Sequence, residues 1–165
     1  MKRLLFTLAL ILVAGNLWAA GTCVESGDNP TYIYSDNQKA GDEILLLCTH
    51  HTDNSLSVAL SATVMSKLSG WYSWQIVSFP GDTAPTDNTD LEITEQMTAT
   101  IGLSLLGTNG TDFIDATIAK ETLFYNSFLG IPTYRMAVTG RPWTISTTNN
   151  AVASATFYLL LRRVP

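Results

Sequence analysis

Residues 155–162 read Ala155-Thr156-Phe157-Tyr158-Leu159-Leu160-Leu161-Arg162. Successive side chains of an extended strand point to opposite faces. Ala155, Phe157, Leu159 and Leu161 therefore share one side. Tyr158 and Leu160 take the other, between Thr156 and Arg162. A strand this apolar on both faces belongs in the middle of a sheet. Working outward, Leu91-Glu92-Ile93-Thr94-Glu95 alternates strictly, the pattern of a strand with one face buried. In Tyr72-Ser73-Trp74-Gln75-Ile76-Val77-Ser78-Phe79 the alternation shifts after Ile76, which points to a bulge or to burial of both faces near the strand end. Further strands are expected over 43–51, 55–66, 133–139 and 143–147. Phe113, Ile114 and Ile118 suggest one or two helical turns within 112–125.

Turn-forming clusters separate these runs: Gly27-Asp28-Asn29-Pro30, Pro80 to Asp90, Gly107 to Thr111, Thr139-Gly140-Arg141-Pro142 and Thr147 to Asn150. The chain also holds 22 threonines, β-branched residues that favour strands. Short strands at close spacing indicate an all-β fold, an antiparallel two-sheet β-sandwich of the jelly-roll or immunoglobulin-like kind. Trp71, Trp74, Phe79, Phe113, Trp143, Phe157 and Tyr158 are the expected core aromatics. No internal repeat points to a solenoid or propeller.

Residues 1–20, MKRLLFTLALILVAGNLWAA, have the layout of a cleavable signal peptide. Lys2 and Arg3 precede an apolar stretch, Leu4 to Ala14, shorter than the ~20 residues of a membrane span. Small residues at Ala19, Ala20 and Gly21 offer the cleavage point. The expected organisation is thus a signal peptide over 1–20 and a single domain over 21–165. Export is to the periplasm or the exterior, with the membrane involved only through the N-terminal segment. Cys23 and Cys48 then meet an oxidising compartment and are expected to form a disulfide.

Of the 165 residues, 14% are charged and 46% hydrophobic, which excludes a disordered chain. Nine basic and 14 acidic residues give a net charge of −5, and this excludes binding to nucleic acid through phosphate neutralisation. Losing the first 20 residues leaves 7 basic and 14 acidic, a net charge of −7.

The search for chemistry yields little. His50 and His51 are the only histidines, and as strand neighbours they face opposite sides. With Asp53 they form at best a fragment of a metal site. Nucleophile elbows, His-Glu-x-x-His pairs and phosphate loops are missing from the sequence. The carboxylate pairs Glu92/Glu95 and Asp112/Asp115 have no link to an aromatic cleft, as a glycosidase would need. Asp82, Asp87, Asn88 and Asp90 supply oxygens that could take Ca²⁺, although without EF-hand spacing; turn chemistry, in which Asp and Asn bond their own backbone, is the better reading. Trp71, Tyr72 and Trp74 could present a sugar-stacking platform or fill the core. Arg135, Arg141, Arg162 and Arg163 read as a solvated edge. The expectation is a protein with no catalytic residues, no resident metal and no cofactor.

Three stretches carry a resemblance: WYSWQIVSFPGDTAPTDNTDLEITE from Trp71, GLSLLGTNGTDFIDAT from Gly102 and VTGRPWTISTTNNAVASATFYLLLR from Val138. An aromatic strand leads to Pro80-Gly81. Pro85-Thr86-Asp87-Asn88 and an alternating strand follow, then Leu105 to Asn109 and a closing strand pair around Asn149-Asn150. This order, over about residues 70–163, resembles small tailed-phage virion proteins of the structural or decoration type. The resemblance implies a compact β-sandwich without enzymatic activity. Its partner would be a protein, cell surface or virion surface, with homo-oligomerisation allowed. The export signal and cysteine pair depart from that group, whose members assemble in the cytoplasm. They imply either an exported relative, virion-associated if phage-encoded, or a shared fold alone. The competing reading is an extracellular carbohydrate- or surface-binding module using Trp71, Tyr72 and Trp74; a small secreted hydrolase is the weaker alternative.

Overall fold

The computed structural model describes residues 21–25, 43–50, 56–70, 72–124, 126–128, 131–133 and 136–164, with the side chains of 72–74, 126–128, 131–133, 136–137 and 163–164 outside that description. The described residues are mostly β, with two antiparallel sheets and one short helix, consistent with an all-β sandwich. The expected signal peptide lies outside the described residues. Among those described, no helix is long and apolar enough to cross a membrane.

The larger sheet is built on β12 (Thr156–Val164), flanked by β2 (Glu43–Thr49) and β4 (Tyr72–Pro80). β1 (Thr22–Glu25) pairs with the far side of β2. β7 (Lys120–Leu123) and β10 (Met136–Ala137) pair in turn with β4. The strand apolar on both sides is thus central. Its inward row, Phe157, Leu159 and Leu161, is at most 2% exposed. Burial of each such side chain contributes about 1.5–3 kcal/mol.

Its outward row meets a second apolar group. Leu160 pairs with Leu45 and Val77, and Tyr158 with Phe79, their ring centroids 6.4 Å apart. A polar row borders this patch. The Arg162 Nε–H donates to Glu43 Oε1 at 3.0 Å, Arg162 Nη1 to Gln75 Oε1 at 2.7 Å, and Gln75 Nε2 to Glu121 Oε2 at 2.8 Å.

The smaller sheet has the order β3 (Leu56–Ala59), β11 (Trp143–Thr148), β5 (Asp90–Gln96), β6 (Gly102–Ser104). Leu91 and Ile93 of β5 and Trp143 and Ile145 of β11 point inward and join Leu46 and Leu159 in one hydrophobic core. Phe124 completes it, its ring centroid 5.7 Å from that of Trp143. A separate two-stranded ribbon joins β8 (Asn126–Phe128) to β9 (Ile131–Thr133).

Four expectations need correction. The strand expected over 55–66 ends at Ala59 and gives way to helix α1 (Ala62–Leu68). Ser61 caps this helix, its hydroxyl accepting from the Val64 N–H at 3.3 Å, and Val64, Met65 and Leu68 form a buried stripe at helical spacing. The helical turns expected within 112–125 do not form. Residues 107–110 make a 3₁₀ turn instead, and Asp112, at φ 51°, leaves the helical region before a loop leads into β7. The strand expected over 133–139 does not reach its expected end: β10 stops at Ala137, while residues 134 and 135 lie outside the described residues. Finally, Phe79 and Tyr158 were expected in the core but are half-buried on the outward face, whereas Phe113, Trp143 and Phe157 are in it.

In β4 the register against β12 shifts between Gln75 and Ser73, so Trp74 is the extra residue. The shift of pattern after Ile76 has a different origin: Ile76, Val77 and Ser78 are all buried, so the strand is covered on both faces there.

Candidate functional site

Cys23 and Cys48 face each other across the β1–β2 ladder, Cα atoms 4.1 Å apart, and are joined by a disulfide. The bond fastens an edge strand of four residues that is also held by its ladder, by the Thr22–Thr49 hydroxyl pair at 2.7 Å and by the ion pair of Glu25 with Lys67 of α1.

The acidic segment runs from β4 into β5 and is tied down on two sides. Asn150, 1% exposed, accepts at Oδ1 from the Thr86 N–H at 3.1 Å and the Val152 N–H at 3.2 Å. The Thr156 N–H donates to Thr83 O at 2.7 Å. The segment is thereby sewn to the β11–β12 turn. Asp87 Oδ1 accepts from the Ala116 N–H at 2.9 Å. Asp90 Oδ1 accepts from the Asp112 N–H at 2.9 Å, and its Oδ2 from Asn149 Nδ2 at 2.6 Å and the Thr148 hydroxyl at 3.2 Å. Asn88, Asp112 and Asn149 all have left-handed backbone (φ 64°, 51° and 62°). Asx residues adopt this conformation most readily after glycine. Asp82 and Asn88 are exposed. Two of the four residues weighed for Ca²⁺ thus hold main-chain donors. Among the described residues no group of three His, Cys, Asp or Glu could hold a metal ion.

The neighbouring loop is closed by Asp115. Its Oδ1 accepts from the Thr117 N–H at 2.9 Å, the Thr117 hydroxyl at 3.0 Å and the Ile118 N–H at 3.2 Å, while Oδ2 lies 3.3 Å from Lys120 Nζ. The Thr117 N–H is the foremost cause of a carboxyl pKa lowered to about 2; the remaining donors add to it and outweigh the opposing effect of desolvation.

Among the described residues the sequence candidates for catalysis do not converge. His50, 1% exposed, packs inside the sheet end, where its main-chain N–H donates to Ala155 O at 2.7 Å. Among the described residues neither ring nitrogen has a hydrogen-bond partner. His51 and Asp53 lie outside the described residues. Glu92 is exposed and Glu95 buried, on opposite faces of β5, and Glu95 Oε1 accepts from the Thr139 hydroxyl. Trp71 lies outside the described residues, as do the side chains of Tyr72 and Trp74. Arg141 Nη1 is 2.8 Å from Met97 Sδ, and Arg162 sits in the polar row of the larger sheet. Arg135 and the side chain of Arg163 lie outside the description.

What strand register does bring together is the outward face of the smaller sheet. Ser146 stands between Ser57 and Glu92, and Thr144 between Ala59 and Thr94, which in turn pairs with Ser104. Thr148 stands beside Asp90. The 3₁₀ turn rises along one side of this face. Gly110 makes that approach possible, since a Cβ there would lie 1.9 Å from Leu91 O. Between the turn and β11 runs an open groove of about 220 Å³ over Asp90 and Glu92, with Ser104, Thr111, Ser146 and Thr148 along its walls. Among the described residues neither Asp90 nor Glu92 forms an ion pair. Sequence reasoning passed over this groove. Its signal was the outward set Asp90, Glu92, Thr94 of β5, matched by Thr144, Ser146, Thr148 of β11. Comparison with known protein families, characterised proteins and solved structures returns no match.

Proposed function

We propose that this chain is an exported, non-enzymatic interaction protein: a β-sandwich of the jelly-roll or immunoglobulin-like kind that works by surface contact, in the manner of virion accessory or decoration proteins. The observation that carries the reading is the outward face of the smaller sheet. It is a regular array of hydroxyls and two carboxylates, bordered by loops whose acidic side chains hold main-chain N–H groups. Such loops are preorganised, and a surface already in its binding shape loses less conformational freedom on association. The Cys23–Cys48 disulfide is compatible with an oxidising destination.

Two measurements test this. Intact mass of the chain recovered from the exported fraction, with and without reductant, is expected to show loss of residues 1–20 and a 2 Da difference for one disulfide. Mass spectrometry of particles purified from the producing culture is expected to find the protein at stoichiometric abundance. A chain retained in the cytoplasm with its first 20 residues intact overturns export. A monomer absent from every particle or surface fraction overturns the structural role.

A further inference from the structure

We infer that the outward face of the smaller sheet docks a partner protein through arginine or lysine side chains, the cationic head entering the groove over Asp90 and Glu92. The inference rests on the proposed role in surface contact and names the chemistry of the partner.

Charge comes first. The two carboxylates lie two residues apart on one face of β5 and share the groove, and neither has a cationic neighbour among the described side chains. Glu92 is exposed and its carboxylate accepts no hydrogen bond among the described residues. Asp90 receives three hydrogen bonds from neutral donors, which fix its position and leave its charge uncompensated. Such a groove attracts cations and repels acidic partners.

Shape and lining then choose among cations. Asp90 turns one oxygen to the Asp112 N–H and the other to Asn149 and Thr148, lone pairs that a bound Ca²⁺ would have to reclaim. A saccharide ring usually stacks on an aromatic side chain, and among the described residues none lines the groove. A guanidinium or ammonium group needs neither a metal-type oxygen cage nor a stacking surface. It needs a carboxylate and hydroxyl acceptors, which Glu92, Ser104, Thr111 and Ser146 supply. The groove, about 220 Å³ and open along one side, admits a side chain carried on a facing surface.

The test uses the whole mature chain and a deca-arginine peptide as probe, with binding measured by calorimetry at low salt. Glu92→Gln removes the available carboxylate, and Ser146→Gln fills the groove without changing the charge. Asp82→Asn removes one charge from an exposed position outside the groove. Each groove variant is expected to weaken binding about fivefold or more, and Asp82→Asn less than about twofold. Equal weakening by Glu92→Gln and Asp82→Asn overturns the inference, because overall acidity then explains the binding. So does tighter, Glu92-dependent retention on neutral glycans than on the peptide. Either result can coexist with the protein being found on purified particles, so the docking chemistry and the structural role fail separately.

Discussion

The main-chain N–H of Asp112 donates to Oδ1 of Asp90 at 2.9 Å, across 22 residues of sequence. This contact joins the start of β5 to the loop after the 3₁₀ turn, while the other carboxylate oxygen holds Asn149 and Thr148 of the β11 turn. One side chain therefore clasps three chain segments. Asp90→Ala is expected to lower unfolding free energy by about 2 kcal/mol, since it leaves donors from two loops without their charged acceptor. Asp90→Asn keeps an acceptor oxygen and should lose about half as much. Urea unfolding reads both, as a lower midpoint at unchanged slope. An Ala variant as stable as the parent would show that the loops are held by other contacts.

Asp115 makes the same kind of clasp within one loop, and there acid should undo it. Its folded pKa, about 2, lies below the ordinary 3.8, so its stabilising effect is present above about pH 4 and is lost as pH falls toward 2. Stability should decline across that window, and Asp115→Asn should flatten the decline. Carboxyl carbon shifts followed by NMR would check the site itself. A midpoint near 4 for Asp115 would mean that the Thr117 and Ile118 donors are not engaged in solution.

Strands were legible where side-chain alternation had only one physical source. Ala155 to Arg162 has apolar residues on both faces because it is central, and Leu91 to Glu95 alternates because one face is buried and the other is open. Helix α1 was obscured because Ala59-Leu60-Ser61 continues the composition of β3, although the Ser61 cap and the 64/65/68 stripe are helical marks. The loop after Gly110 misled in the opposite direction. Phe113 and Ile114 are buried, but Ile118 is 57% exposed, so the three never form one face. The groove was least legible of all. Ser104, Ser146 and Thr148 are ordinary outward hydroxyls until strand pairing sets Ser146 against Glu92 and Thr148 against Asp90. Such a pairing depends on contacts more than 50 positions apart, and local periodicity carries no record of it.

Reduction should loosen the protein from β1 inward. The disulfide closes a loop with a sequence separation of 25, and removing it is expected to cost about 2–4 kcal/mol of stability, chiefly by freeing the unfolded chain. The Cys23→Ala/Cys48→Ala pair and the reduced parent should melt together, below the oxidised parent. Hydrogen exchange should quicken first in Thr22–Glu25, which among the described residues has ladder partners on only one side. An identical melting curve with and without reductant would rule this out.

The last prediction concerns a gain. His50 and Ser78 are each 1% exposed, and among the described residues the His50 ring nitrogens and the Ser78 hydroxyl have no hydrogen-bond partner. An imidazole or hydroxyl gives up its hydrogen bonds to water on burial, and without a protein partner that loss is uncompensated. Replacing such a group by an apolar one of similar size removes the penalty and keeps the packing. His50→Leu is therefore expected to stabilise by about 1–2 kcal/mol, and Ser78→Ala by up to about 1 kcal/mol. His50→Gln, which buries another polar group at the same place, should give no gain. Thermal melts of the three variants at neutral pH decide the matter. A His50→Leu chain less stable than the parent would mean that the imidazole makes a polar contact essential to the fold, and the explanation given for its burial would fall with it.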